Sequence, residues 1–119
     1  MAVSQDLKQK GRSDAALVRA DDLSQKAAAA QREGSRMLEV RYLREALATG
    51  VADAHLVTNL LLRLCDAELA LGHVAEGRAA CERVVREYPS TNAAAVGRRR
   101  LEESRTGRAQ PAQPAEVTQ

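Results

Sequence analysis

Four breaks constrain this chain more than any other feature. Gly34, Gly50, Gly72 and Pro89 interrupt a sequence whose apolar residues otherwise recur at helical spacing. Glycine accepts the left-handed backbone that often ends a helix, and the residue before proline is pushed out of the helical region. The intervals between the breaks therefore read as helices. Their apolar residues are Ala, Leu and Val, with no Trp, no Phe and only Tyr42 and Tyr88. Ala and Leu favour helices, whereas aromatic and β-branched residues favour strands. A single all-α domain is expected, because domains commonly hold about 100–150 residues.

Residues 1–12 are polar and read as a flexible arm ahead of a helical domain over 13–105. Ser13-Asp14 offers an N-cap to a first helix, which Leu17, Val18, Leu23 and Ala27 to Ala30 carry to about Arg32. A second runs from about Arg36 to Thr49, with Leu38, Tyr42 and Ala46 on one face and Leu43 and Leu47 beside them. Asp53 caps a third, which ends at Leu71 and is apolar almost all round. Such a helix is expected at the centre, covered on more than one face. The fourth, about Val74 to Glu87, is expected to bury Val74, Ala80, Cys81, Val84, Val85 and Tyr88. Ser90, Thr91 or Asn92 caps a fifth, over about 92–105. Its thin apolar face (Ala94, Val96, Leu101) suits a terminal lid. The Pro-, Ala- and Gln-rich segment 106–119 is expected to be disordered.

Shifting the chain by 38 positions lays Gly34 over Gly72, Leu43 over Cys81, Ala46 over Val84 and Leu47 over Val85. Internal periods in this range mark arrays of paired helices. Residues 58–91 resemble a tetratricopeptide repeat. Leu61 stands where that family favours Trp, Leu64 at its Leu, and Cys65 at its small residue. Leu71-Gly72 stands at the inter-helix turn, Gly77 at the motif Ala, and Tyr88-Pro89 at the closing Pro. The segment from Glu87 to Glu103 is similar to the subtype of bacterial envelope-associated proteins. The copy at about 20–53 departs from the pattern: Lys26 replaces an apolar residue, Glu39 an Ala, and Val51 the terminal Pro. The resemblance implies two stacked antiparallel helical hairpins plus a C-terminal capping helix. Leu43, Ala46, Leu61, Leu64, Cys65, Gly77, Cys81, Val84 and Tyr88 would be the packing residues.

The resemblance also implies a concave groove lined by the first helix of each hairpin. On the third helix that stripe is His55, Asn59, Leu62, Asp66 and Leu69, and on the first it is Asp21, Ser24, Ala28 and Gln31. Polar and leucine positions in alternation suit a bound peptide or helix. The set lacks the Lys and Asn residues with which some family members hold a C-terminal carboxylate. The expected function is a non-catalytic protein–protein interaction module, an adaptor or an assembly component. Its partner is another protein or a second copy of the chain. Two alternatives stand beside it: a docking or spacer domain of a larger bacterial envelope or signalling protein, and weak nucleic-acid binding through Arg98, Arg99 and Arg100.

Other classes find little footing. The net charge is +2, and the aromatic platform on which single-strand readers stack bases is missing. Glu102 and Glu103 offset the arginine run. No stretch approaches the ~20 apolar residues of a membrane span. His55 and His73 stand apart, so neither a metal site nor a cofactor is expected. No phosphate-binding glycine loop, nucleophile elbow or HExxH occurs, so no enzyme is expected. Cys65 and Cys81 face each other across one pair of helices and read as small buried apolar residues, with a redox switch as the sharper alternative. The polar start predicts a cytoplasmic protein if Met1 is the native start, and a periplasmic one if the chain is part of an exported protein.

Overall fold

The computed structural model describes residues 2–106, with side chains from Asp14 to Arg105. They form five helices and no strand: α1 (Ala2–Arg32), α2 (Arg36–Ala48), α3 (Ala54–Ala70), α4 (Val74–Glu87) and α5 (Asn92–Thr106). The fold of these residues is all-α.

The breaks act as the backbone chemistry requires. Gly34, Gly50 and Gly72 have φ of 85°, 80° and 82°. Open space surrounds each of them, so it is the left-handed backbone and not crowding that calls for glycine. After α1 and α3 the chain turns by the same paired bonds. Ser35 N–H donates to Ala30 carbonyl at 2.9 Å and Gly34 N–H to Gln31 carbonyl at 3.0 Å. His73 N–H likewise donates to Glu68 carbonyl at 2.8 Å and Gly72 N–H to Leu69 carbonyl at 3.0 Å. These bonds satisfy carbonyls that a helix end would otherwise leave open. Side chains cap the next starts. Ser35 Oγ accepts from Leu38 N–H, Asp53 Oδ1 from Leu56 N–H at 2.9 Å, and Thr91 Oγ1 from Ala94 N–H at 3.1 Å. Such a cap contributes about 1 kcal/mol.

The N-terminal boundary differs from the sequence expectation. α1 begins at Ala2, so the segment expected as an arm continues the helix, and Asp14 lies within it and not at its cap. Gln5, Leu7, Lys8, Gln9 and Lys10 are good helix formers, and Gly11 alone opposes them by about 1 kcal/mol. The last turn of α2 lies beside Ala15, Ala16 and Arg19, so α1 extends well past it. The expected disordered tail falls almost wholly outside the described residues.

α3 is central, as its apolar circumference predicts: it packs against α2, α4 and α5. The core joins Ala20, Leu23 and Ala27 of α1 to Leu43 and Ala46 of α2. Leu60, Leu61 and Leu64 of α3 and Ala80, Cys81 and Val84 of α4 complete it. Covering one leucine stabilises by roughly 1.5–3 kcal/mol. Small residues set the closest approaches. A Cβ on Gly77 would lie 2.8 Å from Leu69 Cγ and 3.0 Å from the Cys65 carbonyl. One on Gly97 would lie 3.3 Å from the Cys81 carbonyl. α3 and α4 run in opposite directions, Gly77 meeting Leu69 where Cys81 meets Cys65.

Candidate functional site

The stripe expected to line a groove is brought partly together. Asn59 is exposed, and Leu62 and Asp66 are half-buried along the same side of α3. Across from them Arg63 ties α3 to α1. Its guanidinium donates to Ser24 Oγ at 2.7 Å, to the Ser24 carbonyl at 2.9 Å and to Asn59 Oδ1 at 3.2 Å. Burial pushes the Arg63 pKa down from its ordinary value, and the charge of Glu39 raises it in part. On the other flank Arg100 of α5 donates to Asp66 Oδ1 at 2.7 Å. That hydrogen bond, with the charges of Asp66 and Glu103 and against partial desolvation, holds Arg100 above the ordinary arginine value. One face thus carries Ser24, Asn59, Leu62, Arg63, Asp66 and Arg100, drawn from three helices.

Other members of the stripe fall elsewhere. Leu69 is buried, at 2% exposure, against Gly77 of α4, and belongs to the core. Seven residues bring the helix back to within about 20°, so Leu69 lies on nearly the same side as Leu62, and it is the close approach of α4 at Gly77 that covers it. Asp21 and Gln31 are exposed and Ala28 is half-buried; Asp21 accepts from Gln25 Nε2 at 2.9 Å within its own helix. His55 is exposed. Among the expected packing residues, Leu43, Ala46, Leu61, Leu64, Cys65, Gly77, Cys81 and Val84 are buried, and Tyr88 is half-buried beside them. Val74, expected in the core, is 43% exposed.

The arginine run of α5 is largely engaged by the protein. Arg100 holds Asp66, and Arg98 donates to the Pro89 carbonyl at 3.2 Å. Arg99 is exposed.

Three features escaped the sequence. Two carboxylates, Glu39 and Glu68, are buried at 1% and 2% exposure. Glu39 accepts from Arg36 Nη1 at 2.9 Å and stands within electrostatic reach of Arg63. Glu68 accepts from Arg44 of α2 and meets His73 Nδ1 at 2.7 Å. A buried carboxylate persists only when paired and hydrogen-bonded, and α2, α3 and the α3–α4 turn supply the partners. Nothing in local periodicity separates these glutamates from surface ones. The resemblance held one signal, since Glu39 occupies a position where the family favours a small residue.

The second feature is a bond. Cys65 and Cys81 are joined as a disulfide between α3 and α4, with Cα atoms 5.7 Å apart. They are not the unlinked apolar residues expected. The third is a cleft on the α2–α4 side, lined by Met37, Val40, Leu71, His73 and Glu76 among others, where Met37 is 66% exposed.

No group of three metal-ligating side chains occurs among the described residues, and no helix among them is long and apolar enough to cross a membrane. No protein-family model, curated protein or solved structure matches the chain.

Proposed function

We propose that this chain is a non-catalytic protein–protein interaction module: two antiparallel helical hairpins, α1–α2 and α3–α4, stacked in the manner of tetratricopeptide repeats and capped by α5. A partner peptide or helix lies along the face shared by α1, α3 and α5. The observation that carries this reading is the lateral joining of α1 to α3 through Arg63–Ser24 and of α3 to α5 through Asp66–Arg100. These are the first helices of successive pairs, and in a repeat array it is their shared face that forms the groove. Half-buried Leu62 between two arginines gives that face an apolar anchor within a polar rim.

A second surface has its own support. Exposed Met37 lines the α2–α4 cleft together with Val40 and Leu71, and adjoining apolar side chains open to solvent mark contact surfaces.

Affinity capture with wild type, Leu62→Glu and Met37→Glu separates the two, with folding checked by thermal midpoint. Loss of a specifically recovered partner with Leu62→Glu alone supports the groove. Loss with Met37→Glu alone moves the interaction to the outer face. Equal recovery by all three rejects both surfaces.

A further inference from the structure

We propose that the Cys65–Cys81 bond is a structural staple sealed beneath α5, made before α5 docks and reachable afterwards only when α5 lifts. Cys65 and Cys81 are 1% and 0% exposed. Thiol–disulfide exchange requires a thiolate to approach a sulfur directly, and neither sulfur is open to solvent in the assembled fold. α5 packs directly on the Cys81 backbone. Gly97 of α5 lies so close above α4 that a Cβ there would stand 3.3 Å from the Cys81 carbonyl and 3.3 Å from Val85 Cγ2. Two arginines hold α5 down. Arg78 of α4 donates to the Leu101 carbonyl at 2.9 Å and to Ser104 Oγ at 2.5 Å, and Arg100 binds Asp66 of α3.

Formation of the bond is an exchange with a disulfide donor, small-molecule or protein. The Cys65 and Cys81 thiols each give up a proton, the pair loses two electrons, the donor's S–S bond breaks, and the donor leaves as two thiols. Such bonds form and persist in oxidising compartments, so the staple places the chain in one.

The test is reduction of the native, oxidised protein by dithiothreitol, with alkylation and mass analysis at intervals. Reduction of the folded wild type is expected on the order of a hundredfold slower than in unfolding urea, because opening must precede attack. Arg78→Gln and Arg100→Gln, which remove exposed or part-buried anchors of α5, are expected to speed it by about two- to tenfold. Arg41→Gln, on the surface of α2, leaves it unchanged. The urea dependence of the native rate is expected to be shallower than that of global unfolding, the signature of a local opening.

Equal rates for wild type and both anchor variants overturn the proposal, as does a urea dependence matching global unfolding. The compartment is tested separately. Exported to a bacterial periplasm and blocked with a maleimide in denaturing urea at lysis, the chain is expected to lack adducts and to be lighter by the two thiol hydrogens. Two maleimide adducts would overturn that assignment.

Discussion

Replacing Gly77 by alanine adds one methyl group at the closest approach of α3 and α4, and two opposing effects decide the outcome. Alanine favours a helix over glycine by about 1 kcal/mol. Against this, the new Cβ would stand 2.8 Å from Leu69 Cγ and 3.0 Å from the Cys65 carbonyl. The second neighbour is backbone in the middle of α3 and cannot step aside, and the first is the branch point of a buried side chain. With contacts of 2.8 and 3.0 Å that cannot relax, overpacking falls in the upper half of its usual range, about 2–3 kcal/mol, so a net loss of roughly 1–2 kcal/mol is expected. A domain of this size loses about 4–8 °C of thermal midpoint per kcal/mol. Gly97→Ala is the internal control. Its nearest neighbours stand at 3.3 Å, where a few tenths of an ångström of adjustment suffice. The propensity gain then offsets the crowding, and the midpoint is expected to stay nearly unchanged. Both midpoints are read from helical circular dichroism of the oxidised protein. A Gly77→Ala midpoint equal to or above wild type would refute the claim that α3 and α4 meet rigidly at this glycine.

Reducing the disulfide frees a loop with a sequence separation of 16, and the chain-entropy treatment puts the loss at about 3 kcal/mol. Denaturant titration of the oxidised protein and of Cys65→Ala/Cys81→Ala checks this. Arg44→Met leaves buried Glu68 with His73 as its remaining side-chain partner and is expected to cost about 1–3 kcal/mol. Pairing it with Glu68→Gln should recover part of that loss, and the double variant compared with both single ones measures the coupling. The hydrogen bond from Arg83 holds the Glu87 carboxyl below the ordinary glutamate value; desolvation opposes it, and the charge of Arg83 and the hydrogen bond and charge of Arg86 add to it. Because the folded pKa is depressed, its contribution is present above the ordinary glutamate value and is lost as the pH falls through the folded one. Arg83→Gln is expected to raise the Glu87 pKa toward that ordinary value, read by carbon-detected NMR titration of the side-chain carboxyl.

What the sequence determined by itself was the number of helices and where most of them end. Those features are decided within a few residues: Gly34, Gly50 and Gly72 take backbone angles that other residues resist, Pro89 bars continuation, and Ser35 and Asp53 cap with their own side chains. The nearly all-apolar circumference of α3 also announced its central place, since no single neighbour can cover it. The start of α1 was less legible, because a polar segment of good helix formers with one glycine reads as easily as an arm.

Tertiary structure decided which neighbour covers each face. A helical wheel gives the direction of Leu69, Val74 and Met37 but not whether another helix lies there; α4 covers the first, and the other two stay exposed. The pairing of Glu68 with Arg44, and of Asp66 with Arg100, depends on side chains brought together from different helices, as does the candidate groove itself. The cysteines show the division most plainly. Their sequence placed them on facing helices, but only a helix spacing tight enough to bring their Cα atoms to 5.7 Å turned two small apolar residues into a covalent link.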